Sequence, residues 1–185
     1  EQGREYVDRI RRASRRMADL IDDLLSLSRS SRGVLEKSDI DLSSIAREIV
    51  SNLRTSDPDR AVEVDIDPDL HARADPVLMR AVLGNLLENS WKYTRKTGHP
   101  VISFRSEPAQ EGFARFAVSD NGAGFDPAHA GKLFGTFQRL HSAEEFEGNG
   151  IGLATAHRII ERHGGSITGS GEVGKGATFR FELPV

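Results

Sequence analysis

Apolar positions step along residues 4–29 at intervals of four and three: Tyr6, Ile10, Ala13, Met17, Leu20, Leu24 and Leu27. A heptad seam of this kind, flanked by charge, predicts a long amphipathic helix. Val7, Ile21 and Leu25 widen the stripe, which suits a bundle with partner helices. Residues 28–33 ("SRSSRG") predict its end and a hinge. Beyond residue 35 the period changes. "EKSDIDL" (36–42) predicts a short strand, and 43–53 a helix with Ile45, Ile49 and Val50 inward. Strict alternation over 61–67 predicts a half-buried strand, and 70–74 a second short one. Asp75 before Pro76 marks a helix start, a side-chain acceptor followed by a residue with φ already set, and that helix runs to about Tyr93. Strands follow at 101–107 and 113–120, then a helix over 151–163 stopped by Gly164 and Gly165, then a hairpin turning near 174–176. Residues 121–150 are rich in Gly, polar residues and Phe without regular period, a long loop of the functional kind.

This order predicts an α+β fold: a two-layer α/β sandwich, one mixed and mostly antiparallel sheet with helices on one face, preceded by the long N-terminal helix. Two units are expected, 1–33 and 34–185.

Composition narrows the function. Over 185 residues the formal net charge is −3, so no basic field suggests nucleic acid. The absence of cysteine removes disulfides, thiolate metal sites and cysteine nucleophiles. No apolar run approaches the roughly 18–20 residues of a membrane span. The chain opens on Glu1 without a leader pattern and is read as an excised fragment, cytoplasmic, of a longer protein.

Three stretches carry candidate chemistry. In "GNLLENSWKYT" (84–94), Asn85 and Asn89 lie four apart and share a helix face with Lys92 and Tyr93. Met79, Val82, Leu83, Leu86 and Ser90 form the neighbouring apolar face, and Glu88 is expected to point away from the strip. Amide oxygens suit Mg²⁺, an ammonium suits phosphate, and a ring suits a purine. A solvated helix flank fits the spacing equally well. In "VSDNGAGFD" (118–126), Asp120 ends a strand and could accept from an exocyclic amine, with Gly122 and Gly124 permitting close approach; a plain turn is the alternative. In "EEFEGNGIGLATAHRII" (144–160), Gly148, Gly150 and Gly152 lead into a helix whose free N–H groups would attract an anion; a simple turn is the alternative. Between the last two lies "KLFGTFQRLHS" (132–142), where Phe134 and Phe137 need a docking surface and Arg139 could reach a phosphate; a small hydrophobic staple for the loop with Arg139 solvated is the alternative.

Taken in order, these stretches resemble the catalytic ATP-binding domain of two-component sensor histidine kinases, within the ATPase superfamily of gyrase, Hsp90 and MutL. "NLLENSWKYT" is similar to the N box, "DNGAGF" to the first glycine box, "LFGTFQRL" to the F box, "GNGIGLA" to the second glycine box, and "GKGATFRF" to the closing element. The likeness covers roughly 35–185, and "FQRLHSAEEFEGNGIGLA" (137–154) is especially similar to phytochrome-type and other hybrid sensor kinases. Residues 4–29 resemble the second helix of the dimerisation and phosphotransfer domain.

The resemblance implies a Bergerat-type fold with ATP and Mg²⁺ as cofactors. Asn89 would ligate Mg²⁺, supported by Asn85; Lys92 would pair with phosphates and Tyr93 pack near the nucleotide. Asp120 would read adenine N6, with Gly122 and Gly124 shaping that pocket. Residues 125–149 would be the ATP lid, with Arg139 assisting γ-phosphoryl transfer. Gly148, Gly150, Ile151, Gly152 and Leu153 would meet the phosphates, and Thr178 would lie near one. Implied partners are ATP or ADP, a second copy through the N-terminal helix, a receiver domain and an upstream sensor domain. None of His71, His99, His129, His141, His157 and His163 lies in a phosphoacceptor motif, so this chain is not expected to phosphorylate itself. Two competing functions are an ATP hydrolase, disfavoured because Asn85 stands where those relatives carry a Glu base, and a nucleotide-binding or dimerisation module without kinase activity.

Overall fold

The computed structural model describes residues 34–138, 140, 146 and 149–185; the predicted helix over 4–29 lies outside them. Strand β1 (Ser38–Asp41) leads into α1 (Leu42–Ser56). Asp41 caps α1, accepting from the Ser44 N–H at 2.9 Å and the Ser44 hydroxyl at 2.6 Å. Strands β2 (Glu63–Ile66) and β3 (His71–Ala74) precede α2 (Pro76–Tyr93). The Asp75–Pro76 signal acts as expected, with Asp75 Oδ1 accepting from the N–H groups of Val77 and Leu78 at 3.1 Å each. Strands β4 (Val101–Glu107) and β5 (Phe113–Asp120) follow, then α3 (Gly152–Arg162), β6 (Ser166–Glu172) and β7 (Gly176–Pro184). The stretch expected as one irregular loop contains a 3₁₀ helix (Pro127–Lys132), started by a second Asp–Pro pair in which Asp126 accepts from Ala128 N–H at 2.9 Å.

The main sheet has five strands in the order β2-β4-β5-β7-β6. Its β2–β4 pair is parallel and the other three pairs are antiparallel, so the sheet is mixed and mostly antiparallel as expected. Strands β1 and β3 pair apart from it as a small antiparallel sheet. The inner face of the main sheet meets the buried stripes of the helices: Leu42, Ala46, Ile49 and Val50 of α1, Met79 to Leu87 of α2, and Ile159 and Ile160 of α3. Phe104, Phe116 and Phe181 stack across β4, β5 and β7 with centroids 5.3–6.4 Å apart. Burying such a side chain stabilises by about 1.5–3 kcal/mol each. The outer face is polar. Arg115 pairs with Glu182 at 2.6 Å, Arg180 with Glu107 at 2.9 Å, and Ser119 meets Thr178 at 2.9 Å.

The strand period decides which β7 residues face the helices. Ala177, Phe179, Phe181 and Leu183 alternate inward, leaving Thr178, Arg180 and Glu182 outside.

Candidate nucleotide-binding site

α2, the end of β5 and the N-terminus of α3 converge on two adjoining cavities. The first is lined by Tyr93, Asp120, Gly124, Phe125, Leu133, Gln138, Leu140, Leu153, Ala177 and Phe179. It is an apolar slot with one carboxylate in its wall. The second is polar, lined by Asn85, Glu88, Asn89 and Lys92 of α2 and by Asn149, Gly150, Ile151 and Gly152. Tyr93, Leu133, Gln138 and Leu153 line both. An apolar slot opening into a polar chamber suits a ligand with a flat aromatic end and a charged end.

Asp120 reaches the slot because inward alternation continues from Phe116 and Val118 to the end of β5. Its Oδ1 accepts from Gly122 N–H at 2.9 Å and its Oδ2 from the Ser90 hydroxyl at 3.1 Å. Burial raises its pKa above the ordinary carboxylate value, while the Gly122 N–H, the Ser90 hydroxyl and the Ala177 N–H oppose that rise. Gly124 has φ +61, and a methyl group there would meet the Glu172 carbonyl oxygen at 1.9 Å, so only glycine fits.

On the polar side, Asn85 Nδ2 donates to Ala81 O at 2.9 Å, which holds the carboxamide against α2. A methyl group at Gly152 would lie 2.4 Å from Asn85 Oδ1, so the first turn of α3 sits directly on that side chain. Gly150 has φ +70, and its carbonyl accepts from Phe137 N–H at 2.9 Å. The N-cap of α3 is Ile151, which makes no side-chain cap, and the residues around this helix start, Gly150 to Leu153, line the polar cavity. Lys92 Nζ lies 4.4 Å from the Tyr93 ring centroid, and Phe146 meets Tyr93 edge-on at 5.0 Å. Phe134 docks on the His157 ring at 5.2 Å, whereas Phe137, at φ 63, leaves its ring 57 % exposed.

The structure therefore brings together Asn85, Asn89, Lys92, Tyr93, Asp120, Gly124, Gly150, Ile151, Gly152 and Leu153 around the two cavities, with Gly122 bonded to Asp120 at their edge. Thr178 is not brought there. It lies on the outer face against Ser119, and its inward neighbour Ala177 lines the slot instead. The alternation through Phe179 and Phe181 was the signal that could have placed it. Glu88 also departs from expectation: it lines the polar cavity, because it stands three residues after Asn85 and shares that face. Arg139 and Gly148 fall outside the described residues. Sequence reasoning missed Gln138, Asn149 and Phe146, which no periodic segment contains, and treated Ser90 as part of an apolar face.

Comparison with known proteins gives a consistent picture. Residues 74–185 match the family described as histidine kinase-, DNA gyrase B-, and HSP90-like ATPase. Cyanobacterial phytochrome B of Nostoc is 36% identical over 98% of this chain and 24% of its own length. The methanogenesis regulatory histidine kinase FilI of Methanothrix harundinacea is 36% identical over 95% of this chain and 20% of its own. The chain thus spans about a quarter of such relatives. Among solved structures, full-length ShkA in complex with AMPPNP superposes with TM-score 0.75 at 26% identity, covering 100% of this chain and 39% of that one. The catalytic domain of histidine kinase ThkA superposes with TM-score 0.67 at 25% identity over 80% of this chain and 95% of that one.

Proposed function

The chain belongs to the histidine kinase-, DNA gyrase B-, and HSP90-like ATPase family, and from that premise we propose that residues 34–185 are the ATP-binding kinase core of a sensor histidine kinase. The observation that carries this reading is the junction of the Asp120-walled slot with the polar chamber beneath the uncapped start of α3. Adenine would occupy the slot, giving its exocyclic amine to Asp120. The triphosphate would lie between the first turn of α3 and Lys92.

The residues present fit Mg²⁺. Among the described residues no cluster of three His, Asp or Glu forms a cage, and the polar chamber offers the carboxamides of Asn85 and Asn89. Mg²⁺ takes few protein ligands and completes its shell with phosphate and water, so Asn89 would hold it with Asn85 in support. The ion, when bound, neutralises charge building on the phosphate oxygens.

The reaction breaks the γ-phosphorus–oxygen bond of ATP and forms a phosphorus–nitrogen bond to a histidine outside this chain, with relay to a receiver aspartate. The protein's part is positioning and charge stabilisation. Arg139 would assist the transfer, Gly148 would join the phosphate loop, and residues 1–33 would pair two copies in the cytoplasm beneath a sensor domain. No helix among the described residues is long and apolar enough to cross a membrane.

Calorimetric titration with AMPPNP tests the reading. Binding should be lost in Asp120→Ala, and near-normal affinity in that variant would refute the adenine assignment.

A further inference from the structure

We propose that Ser90 is a positioning residue for nucleotide recognition: its hydroxyl fixes Oδ2 of Asp120 so that the carboxylate's remaining lone pairs face the slot. The proposal rests on the reading of Asp120 as the group that accepts from adenine.

Ser90 is 1% exposed and sits on the face of α2 that otherwise presents Met79, Val82, Leu83, Leu86 and Leu87 to the sheet. A hydroxyl among these side chains must spend its donor, and in helices the usual partner is the carbonyl four residues back. Thr55, Ser56, Thr94 and Thr155 all do this in the present chain, at 2.7–3.1 Å. Ser90 departs from its neighbours. Its hydroxyl crosses to Asp120 Oδ2, thirty residues away, at 3.1 Å.

The bond has a consequence for the carboxylate. With Oδ1 tied to Gly122 N–H and Oδ2 tied to Ser90, the carboxylate plane is held from two sides. A further donor, such as an exocyclic amine, then meets an acceptor already oriented and needs no reorganisation. Burial pushes Asp120 toward the protonated form, and the Ser90 hydroxyl is one of three donors acting against that. Among the described residues, no charged side chain is among the groups acting on Asp120. From β7 the carboxylate faces Ala177 and Phe179, from the loop after β5 Gly124 and Phe125, and from α2 the Tyr93 phenol, over which Lys92 sits. A protonated Asp120 presents a donor to an amine that is itself a donor, so ionisation and nucleotide affinity are linked.

The test is AMPPNP affinity measured from pH 5 to pH 8 for the chain as it stands, for Ser90→Ala, for Ser90→Thr and for Asp120→Asn, each checked for folding by its melting curve. Ser90→Ala should bind measurably more weakly than the parent at pH 8, where Asp120 is ionised in both, and should lose further affinity on acidification with its midpoint shifted to higher pH. Ser90→Thr, which keeps the hydroxyl, should restore the parent profile. Superimposable profiles for Ser90→Ala and the parent would overturn the proposal while leaving the adenine assignment standing, provided Asp120→Asn still abolishes binding. Near-normal binding by Asp120→Asn would remove the assignment beneath it, and the proposal with it.

Discussion

Replacing Gly152 by alanine separates binding from folding. The new methyl group would stand 2.4 Å from Asn85 Oδ1 and 3.2 Å from its Cγ, inside van der Waals contact. The carboxamide has to swing away and give up its bond to Ala81 O, a loss of about 0.5–1.5 kcal/mol. Against this, alanine is favoured over glycine in a helix by up to about 1 kcal/mol. The two nearly cancel, so the melting temperature of the free protein should move by no more than about 2–4 °C. Nucleotide binding has no such offset. Asn85 and the first turn of α3 meet in the wall of the polar cavity, and the substitution disturbs both. Losing one hydrogen bond to a charged group costs about 1.5–3 kcal/mol, which weakens AMPPNP by roughly ten- to hundredfold. Thermal melting without ligand and calorimetric titration with it read the two effects separately. Gly131→Ala is the control, since nothing lies within 4 Å of its added methyl group. Unchanged affinity in Gly152→Ala would mean that the contact does not position Asn85 for a ligand. A collapse of the fold would mean that relaxation around Asn85 costs far more than one hydrogen bond.

Asn89→Ala should abolish the difference between AMPPNP affinities measured with Mg²⁺ and with a chelator; a persistent difference would place the ion elsewhere. His163 supplies a pH dependence of folding. Its Nε2 accepts from Asp75 N–H at 3.0 Å while its Nδ1–H meets Ile159 O at 2.8 Å, and burial holds its pKa below the ordinary 6.5. The folded form then binds fewer protons than the unfolded chain, so its stabilisation is complete above about pH 6.5 and is lost as the pH falls through the lowered value. Melting curves between pH 5 and 8 should show a slope that flattens in His163→Gln, and an identical slope in both proteins would refute the assignment.

Much of the architecture was legible because its signals are local. Asp75 and Pro76 act on N–H groups within one turn, so reading them needs no tertiary knowledge. The strand over 113–120 was legible with Asp120 at its end, whereas the inward position of Asp120 emerged from the structure. Helical spacing put Asn85, Asn89 and Lys92 on one face, and the same spacing included Glu88, which had been expected to point away. The irregular stretch was opaque for a physical reason: without a period, nothing ties Phe134 to His157 or Phe146 to Tyr93 until both partners are folded. The second Asp–Pro pair, at 126–127, was the exception, a local signal present but unread.

By itself the sequence determined the elements, their order and the residue types available for binding an adenine nucleotide, since caps and hydrophobic period operate between near neighbours. Alternation along β7 already sets Ala177 and Thr178 on opposite faces; only the tertiary structure decided that the Ala177 face closes the slot. It also decided that the Ser90 hydroxyl turns from its own helix to Asp120. Both depend on how α2 lies across the sheet and on strand register, where a shift of one residue reverses every side chain. Contacts between segments far apart in the chain set those quantities, and no short stretch of sequence contains them.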